Sequence, residues 1–246
     1  NDNAADFNNV ISESVVNVTI NSLVTAGAYY AALPFALYDF ITSKNILEIS
    51  ENIDNQKELS IRLNRISNIY LGLSNIPKAL EYGMQSLEIV RRLSDIVDSH
   101  EIHRAAAICL KHLSNINYIS GNNNEAITLC TESLSITQML AKNTDSPESI
   151  RETAEILNTL SNIHHSIGNL PESLKLGMEC LTISRNLASK IETAENLQIV
   201  ACSLIGIANI QLELGNTDEA FIMGIEALKT TKKIAEQQDT PENNRA

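Results

Sequence analysis

The chain has 246 residues, of which 43% are hydrophobic, with 9 Gly, 5 Pro and no Trp. So few turn-forming residues argue against an all-β chain, and the apolar fraction is enough for a continuous core. The formal charge of −12 works against phosphate-backbone binding, which needs Lys and Arg to displace counterions. No nucleic-acid partner is therefore expected.

The chain begins at Asn1 instead of Met and reads as a processed or excised piece. Residues 1–56 are expected to form a degenerate N-terminal helical unit or cap. Ser14 to Tyr38 carries no charge, but Asn17, Asn21, Ser22, Thr25, Gly27 and Pro34 interrupt it. No flanking Lys/Arg cluster sets an orientation, so no membrane span is expected. Asn17-Val18-Thr19 matches a glycosylation sequon, which matters only in a secreted protein. Gly27 marks a turn. Pro34 predicts that the following helix starts late or kinks. Six aromatics fall in this unit (Phe7, Tyr29, Tyr30, Phe35, Tyr38 and Phe40). They read as a bulky capping core, or as an exposed docking patch.

From residue 57 the chain repeats. Ile66-Ser67-Asn68-Ile69, Leu113-Ser114-Asn115-Ile116, Leu160-Ser161-Asn162-Ile163 and Ile207-Ala208-Asn209-Ile210 recur every 47 residues. A fixed period marks a repeat architecture in which each unit buries its apolar face against its neighbours. The expected repeats are 57–99, 100–146, 147–193 and 194–238. Each is two helices. In the first helix, Leu59, Leu63, Ile66, Ile69, Tyr70 and Leu73 share a stripe, with a core row at Leu63, Leu110, Leu157 and Leu204. Turns follow at Ser74, Gly121, Gly168 and Gly215, where Gly ends a helix without a Cβ penalty. Pro77 and Pro171 suit the first turn of the second helix. Its inner rows are Ala79, Ala126, Ser173, Ala220 and Leu87, Leu134, Leu181, Leu228. A row of Gly83, Cys130, Gly177 and Gly224 predicts close helix–helix approach, because interior Gly costs about 1 kcal/mol against Ala. Asp145-Ser146-Pro147-Glu148 returns as Asp239-Thr240-Pro241-Glu242, so 239–246 is expected to open a truncated further repeat or to be a disordered tail.

These rows resemble the tetratricopeptide repeat (TPR). Ile66-Ser67-Asn68-Ile69-Tyr70, the turn at Ser74-Asn75, Ala79 and Ser86-Leu87 follow its pattern in order. The family's large second-helix residue is replaced by the Gly83/Cys130/Gly177/Gly224 row, and its helix-ending Pro is absent. The units are therefore longer than the usual 34 residues and look like kinesin-light-chain-type repeats, or like the long-helix arrays attached to signalling ATPases and caspase-like proteases. The resemblance implies an all-α, right-handed superhelical solenoid of antiparallel helix pairs. It also implies a concave groove lined by the first helices. Residues on groove-facing family positions are Asn68, Asn115, Asn162 and Asn209. With them come Asn64, Lys111 and Asn158 four residues earlier (Ile205 in the last unit), and Leu71, Tyr118, His165 and Leu212 three residues later. An Asn file can hydrogen-bond an extended peptide backbone, or can brace the repeats. Lys111, Asn115 and Asn162 partly resemble the carboxylate clamp of chaperone-binding TPRs. That clamp needs further basic residues where this chain has Ile205 and Asn209, so a C-terminal carboxylate ligand is not expected.

Nothing points to catalysis. Adjacent His164-His165 diverge around a helix, and no HExxH, P-loop, GxSxG or GxGxxG occurs. Glu125, Glu172 and Glu219 recur in first turns, where they suit the helix dipole. Cys109, Cys130, Cys180 and Cys202 show no paired spacing and read as buried thiols of a reducing compartment, here the cytoplasm. No cofactor, no metal and no enzymatic activity are expected. The function implied is a protein- or peptide-binding scaffold. The alternatives are a regulatory arm of a larger signalling enzyme, or a homo-oligomerising module using the N-terminal aromatics or the C-terminal end.

Overall fold

The computed structural model describes residues 13–238. The described residues form ten α-helices: α1 (Glu13–Thr25), α2 (Tyr29–Ile49), α3 (Ile53–Gly72), α4 (Ile76–Ile96), α5 (His100–Ile119), α6 (Asn123–Thr144), α7 (Pro147–Ser166), α8 (Leu170–Lys190), α9 (Ala194–Glu213) and α10 (Thr217–Gln238). From α2 onward each start lies 47 residues after its counterpart. Phe7 and Asp239-Thr240-Pro241-Glu242, with the segment 239–246, lie outside the described residues.

The helix boundaries have local causes. The side chains of Asn52, Asn75, Asn169 and Thr193 accept the N–H of the residue three positions on, at 2.8–3.4 Å. Each satisfies one of the orphan donors of a first turn. Gly121, Gly168 and Gly215 take φ of 83°, 77° and 82° between the helices of a pair. Ser74 is forced to φ 58° at the same place, a left-handed conformation that costs a Cβ-bearing residue about 1 kcal/mol. Pro34 neither delays nor ends α2: the helix begins at Tyr29 and runs through it.

The chain forms two compact units, Asn1–Ser120 and Gly121–Ala246. In the N-terminal unit α1 to α5 stack in sequence. Ile66, Ile69, Leu93 and Ile116 are fully buried. Tyr29 lies flat against Gly72, where an added Cβ would meet its ring at 2.5 Å. Phe40 meets Tyr82 edge-on at 6.3 Å, and Tyr82 stacks on Tyr70 at 5.5 Å. Tyr30 and Tyr38 stay exposed, so the N-terminal aromatics divide between core and surface. In the C-terminal unit the core gathers Leu181, Leu197, Val200, Leu204, Ile207 and Ile234.

The small-residue row behaves as expected at two positions. A Cβ on Gly83 would lie 2.8 Å from Leu113 Cδ2, and one on Gly177 would lie 3.2 Å from Ile207 Cγ1. Gly224 departs from the expectation, with nothing within 4 Å of an added Cβ. Leu228 departs likewise and is 67% exposed, where Leu87 and Leu181 are buried. Both rows are closed elsewhere by the first helix of the following pair, and no described helix follows α10.

Candidate functional site

The repeated tetrapeptide explains how one polar side chain is pushed outward from each first helix. Its first and fourth residues, such as Ile66 and Ile69 or Ile207 and Ile210, are buried. The second is small and buried, and the Ser ties the two helices of its pair. Ser67 Oγ donates to Ala79 O at 2.5 Å, and Ser161 Oγ donates to Ser173 O at 2.8 Å. The third residue, Asn68, Asn115, Asn162 or Asn209, points away from that packing and is exposed. None of these four carboxamides hydrogen-bonds another described residue.

Within the N-terminal unit α3 and α5 touch directly, as do α7 and α9 within the C-terminal unit. Each unit therefore sets two asparagine-bearing helices side by side. In the first unit Lys57 reaches Glu101 at 2.6 Å, and His112 Nε2 lies 2.8 Å from Ser67 Oγ. The Ser67 proton goes to Ala79 O, so His112 must donate to the hydroxyl. Burial, reinforced by the Lys111 charge, pushes the His112 pKa down to about 4 and keeps the ring neutral. In the second unit Arg151 reaches Glu195 at 2.6 Å, and His165 Nε2 lies 2.8 Å from Glu213 Oε1. Asn162 lies beside Gly206, whose added Cβ would stand 3.9 Å from its Oδ1.

Around the asparagines, Asn64, Leu71, Lys111 and Tyr118 of the N-terminal unit are half-buried, as are Asn158 and His165 of the C-terminal unit. The Asn64 Oδ1 is buried and has no hydrogen-bond partner among the described residues. Leu212 and Ile205 are about half exposed, at 55% and 50%. Within each unit the asparagines are thus surrounded by amide and apolar side chains, together with Lys111 in the first unit and His165 in the second. The ties from Lys57 to Glu101 and from Arg151 to Glu195 escaped the sequence reading. Their signal is present as two columns one period apart, Lys57/Arg104/Arg151 and Glu101/Glu148/Glu195. The Ser clamps recur with the period too, at Ser67, Ser114 and Ser161, but recurrence alone does not distinguish a buried Ser from one on a solvent face.

No group of three His, Cys, Asp or Glu side chains among the described residues could hold a metal ion. No helix among them is long and apolar enough to cross a membrane. The cysteines are unpaired, and burial pushes the Cys109 and Cys180 thiols up to about 11, which makes them poor nucleophiles.

These helix pairs define a helical-repeat protein. The family model of the tetratricopeptide repeat matches residues 153–190, the greater part of α7 and all of α8. No curated protein matches the sequence. Among solved structures, BtubC of P. vanneervenii shares the fold with TM-score 0.71 at 14% identity, over 92% of this chain and 81% of that one. A kinesin light chain of Podosopora anserina, described as putative and built of nearly identical TPR-like repeats, gives TM-score 0.60 at 16% identity, over 92% and 97%. A Rap conjugation gene regulator of the plasmid pLS20, in complex with a Phr peptide, gives 0.64 at 14% identity, over 89% of this chain and 53% of that one. The chain therefore has the all-α fold of TPR-like solenoids built from antiparallel helix pairs.

Proposed function

We propose that this chain is a non-enzymatic binding module that holds an extended peptide or protein segment on the asparagine-bearing faces of its first helices. The observation that carries the reading is the state of Asn68, Asn115, Asn162 and Asn209. All four are exposed, and none is spent on bracing a neighbouring helix among the described residues. Each carboxamide offers an acceptor and two donors, which suits a peptide backbone. Leu71 and Tyr118 in one unit, and Leu212 in the other, supply apolar contact beside them. A Rap regulator of the same fold is seen with a peptide, which supports the choice of ligand class. The unpaired thiols support a reducing, cytoplasmic setting.

The test is a peptide array probed with the intact chain and with the Asn162→Ala/Asn209→Ala double variant, whose two positions lie on the touching helices α7 and α9. Each lost hydrogen bond is worth about 0.5–1.5 kcal/mol, so affinity should fall roughly tenfold while helicity by circular dichroism stays unchanged. Unchanged affinity with lost helicity would assign the asparagines to bracing instead.

A further inference from the structure

Two clefts, one in each unit, are built from equivalent positions. In the N-terminal unit Lys44, Leu47, Leu59, Ile89 and Arg92 help line a cavity of 380 Å3. The residues 94 positions later, Gln138, Ala141, Thr153, Ile183 and Asn186, help line a cavity of 330 Å3 in the C-terminal unit. Each cleft lies where the last turns of two successive second helices meet the first half of the helix between them. Recurrence after two periods makes the cleft a product of the repeat itself.

The contents differ. Lys44, Glu48, Glu88 and Arg92 crowd the N-terminal cleft with charge, and Arg92 is engaged by Gln56 at 3.0 Å. The C-terminal cleft has an apolar floor of Ala141, Ile150, Ile183 and Leu187. Its remaining lining includes Gln138, Asp145, Asn186 and Lys190, and none of these four side chains hydrogen-bonds or pairs with another described residue. Asp145 is set in place by the end of α6, with φ 47° and its N–H on Ala141 O at 2.9 Å. Asp145 and Lys190 therefore line one cavity without forming an ion pair with each other.

An unpaired carboxylate and ammonium over an apolar floor, with two uncommitted carboxamides, complement a small zwitterion that carries an apolar side chain. We propose that the cleft bounded by α6, α7 and α8 binds a free apolar α-amino acid. The ligand ammonium faces Asp145, its carboxylate faces Lys190, and its side chain rests on Ile183 and Leu187. Gln138 and Asn186 take up the remaining donors and acceptors. The volume falls at the small end of ligand pockets, which suits a single amino acid. The N-terminal cleft, with Lys44 and Arg92 where this one has amides, does not take the same ligand. The site shares no residue with the asparagine faces and stands whether or not those bind peptide.

The experiment is an amide NMR titration of the full chain with L-leucine, L-isoleucine, L-methionine and L-phenylalanine. Saturable shifts are expected at Gln138, Asp145, Asn186 and Lys190. Affinity for leucine should drop by about tenfold or more in Lys190→Ala and in Asp145→Asn, since each removes a charge-assisted contact. It should drop similarly for 4-methylpentanoate and for isoamylamine, each of which lacks one of the two charges. Asn tolerates the left-handed conformation at 145 and Lys190 is exposed, so both variants should keep the wild-type spectrum elsewhere. Absence of saturable shifts with all four amino acids overturns the proposal. So does equal binding of N-acetyl-leucine amide, which would mark the cleft as a pocket for a side chain of a longer polypeptide.

Discussion

One repeat position is filled by opposite chemistry: charged at Asp39 in the N-terminal unit, neutral at Cys180 in the C-terminal unit. In the N-terminal unit the junction between α2 and α3 is a buried ion cluster. Asp39 takes Arg62 Nε on one oxygen and Arg65 Nη1 on the other, both at 3.0 Å. Arg62 also reaches Glu58 at 2.8 Å, and Arg65 reaches Asn17 at 2.6 Å. In the C-terminal unit the equivalent junction is Cys180, whose thiol donates to Ala154 O and sits 3.0 Å from Ser203 Oγ. The junction between α4 and α5 is of the same neutral kind: Ser86 donates to Ser60 O at 2.7 Å and lies 3.0 Å from Cys109. A small hydroxyl or thiol thus satisfies the buried carbonyl at little desolvation cost. The ion cluster must offset that cost with several hydrogen bonds, which leaves it more fragile to the loss of one member.

The sharpest way to break this contrast is to remove the shared carboxylate. Asp39→Ala leaves two guanidinium groups facing each other and should destabilise the N-terminal unit by about 3 kcal/mol. Cys180→Ser, which keeps a donor in place, should cost under about 1 kcal/mol. Hydrogen exchange resolved by unit would separate the two, and equal losses would refute the distinction.

Acid should act on the N-terminal unit through His112. Its folded pKa of about 4 lies below the unfolded value of about 6.5, so the unfolded chain binds more protons between those values. The contribution is fully present above pH 6.5 and is lost as pH falls towards 4, about 3 kcal/mol in all. His112→Gln should flatten the stability profile in that window, as followed by urea melts at successive pH values.

The glycine row gives a graded series. Gly83→Ala drives a methyl to 2.8 Å from Leu113 and should cost about 2 kcal/mol. Gly177→Ala, at 3.2 Å from Ile207, should cost less. Gly224→Ala meets nothing within 4 Å and should stabilise α10 by about 1 kcal/mol through helix propensity. A reversed order in thermal melts would contradict the packing described. The smallest expected effect is a gain: Ser74→Gly relieves φ 58° and should add somewhat less than about 1 kcal/mol, after the greater unfolded-state entropy of Gly.

Much of this fold was legible in the sequence because the period repeats both apolar and turn residues. Gly121, Gly168 and Gly215 mark the turns directly, and the core row of Leu63, Leu110, Leu157 and Leu204 is buried throughout. The exposure of the four asparagines was legible as well, since each is bracketed by residues that must go inward. Leu228 and Gly224 were not, because a row shows where a side chain would be buried only if the next helix is there to cover it. The Asp39 cluster also escaped. Its members lie in the degenerate unit and the first clear repeat, where no second example of the pattern exists to expose it.

Burial of the thiols has a practical corollary for measuring motion. With their pKa pushed to about 11, Cys109 and Cys180 hold only about one part in ten thousand as thiolate at neutral pH. Alkylating reagents can modify them only when the surrounding helices part. The labelling rate of Cys109 then clocks opening events in one half of the protein and that of Cys180 in the other, while the half-buried Cys202 serves as an internal reference without any engineered probe.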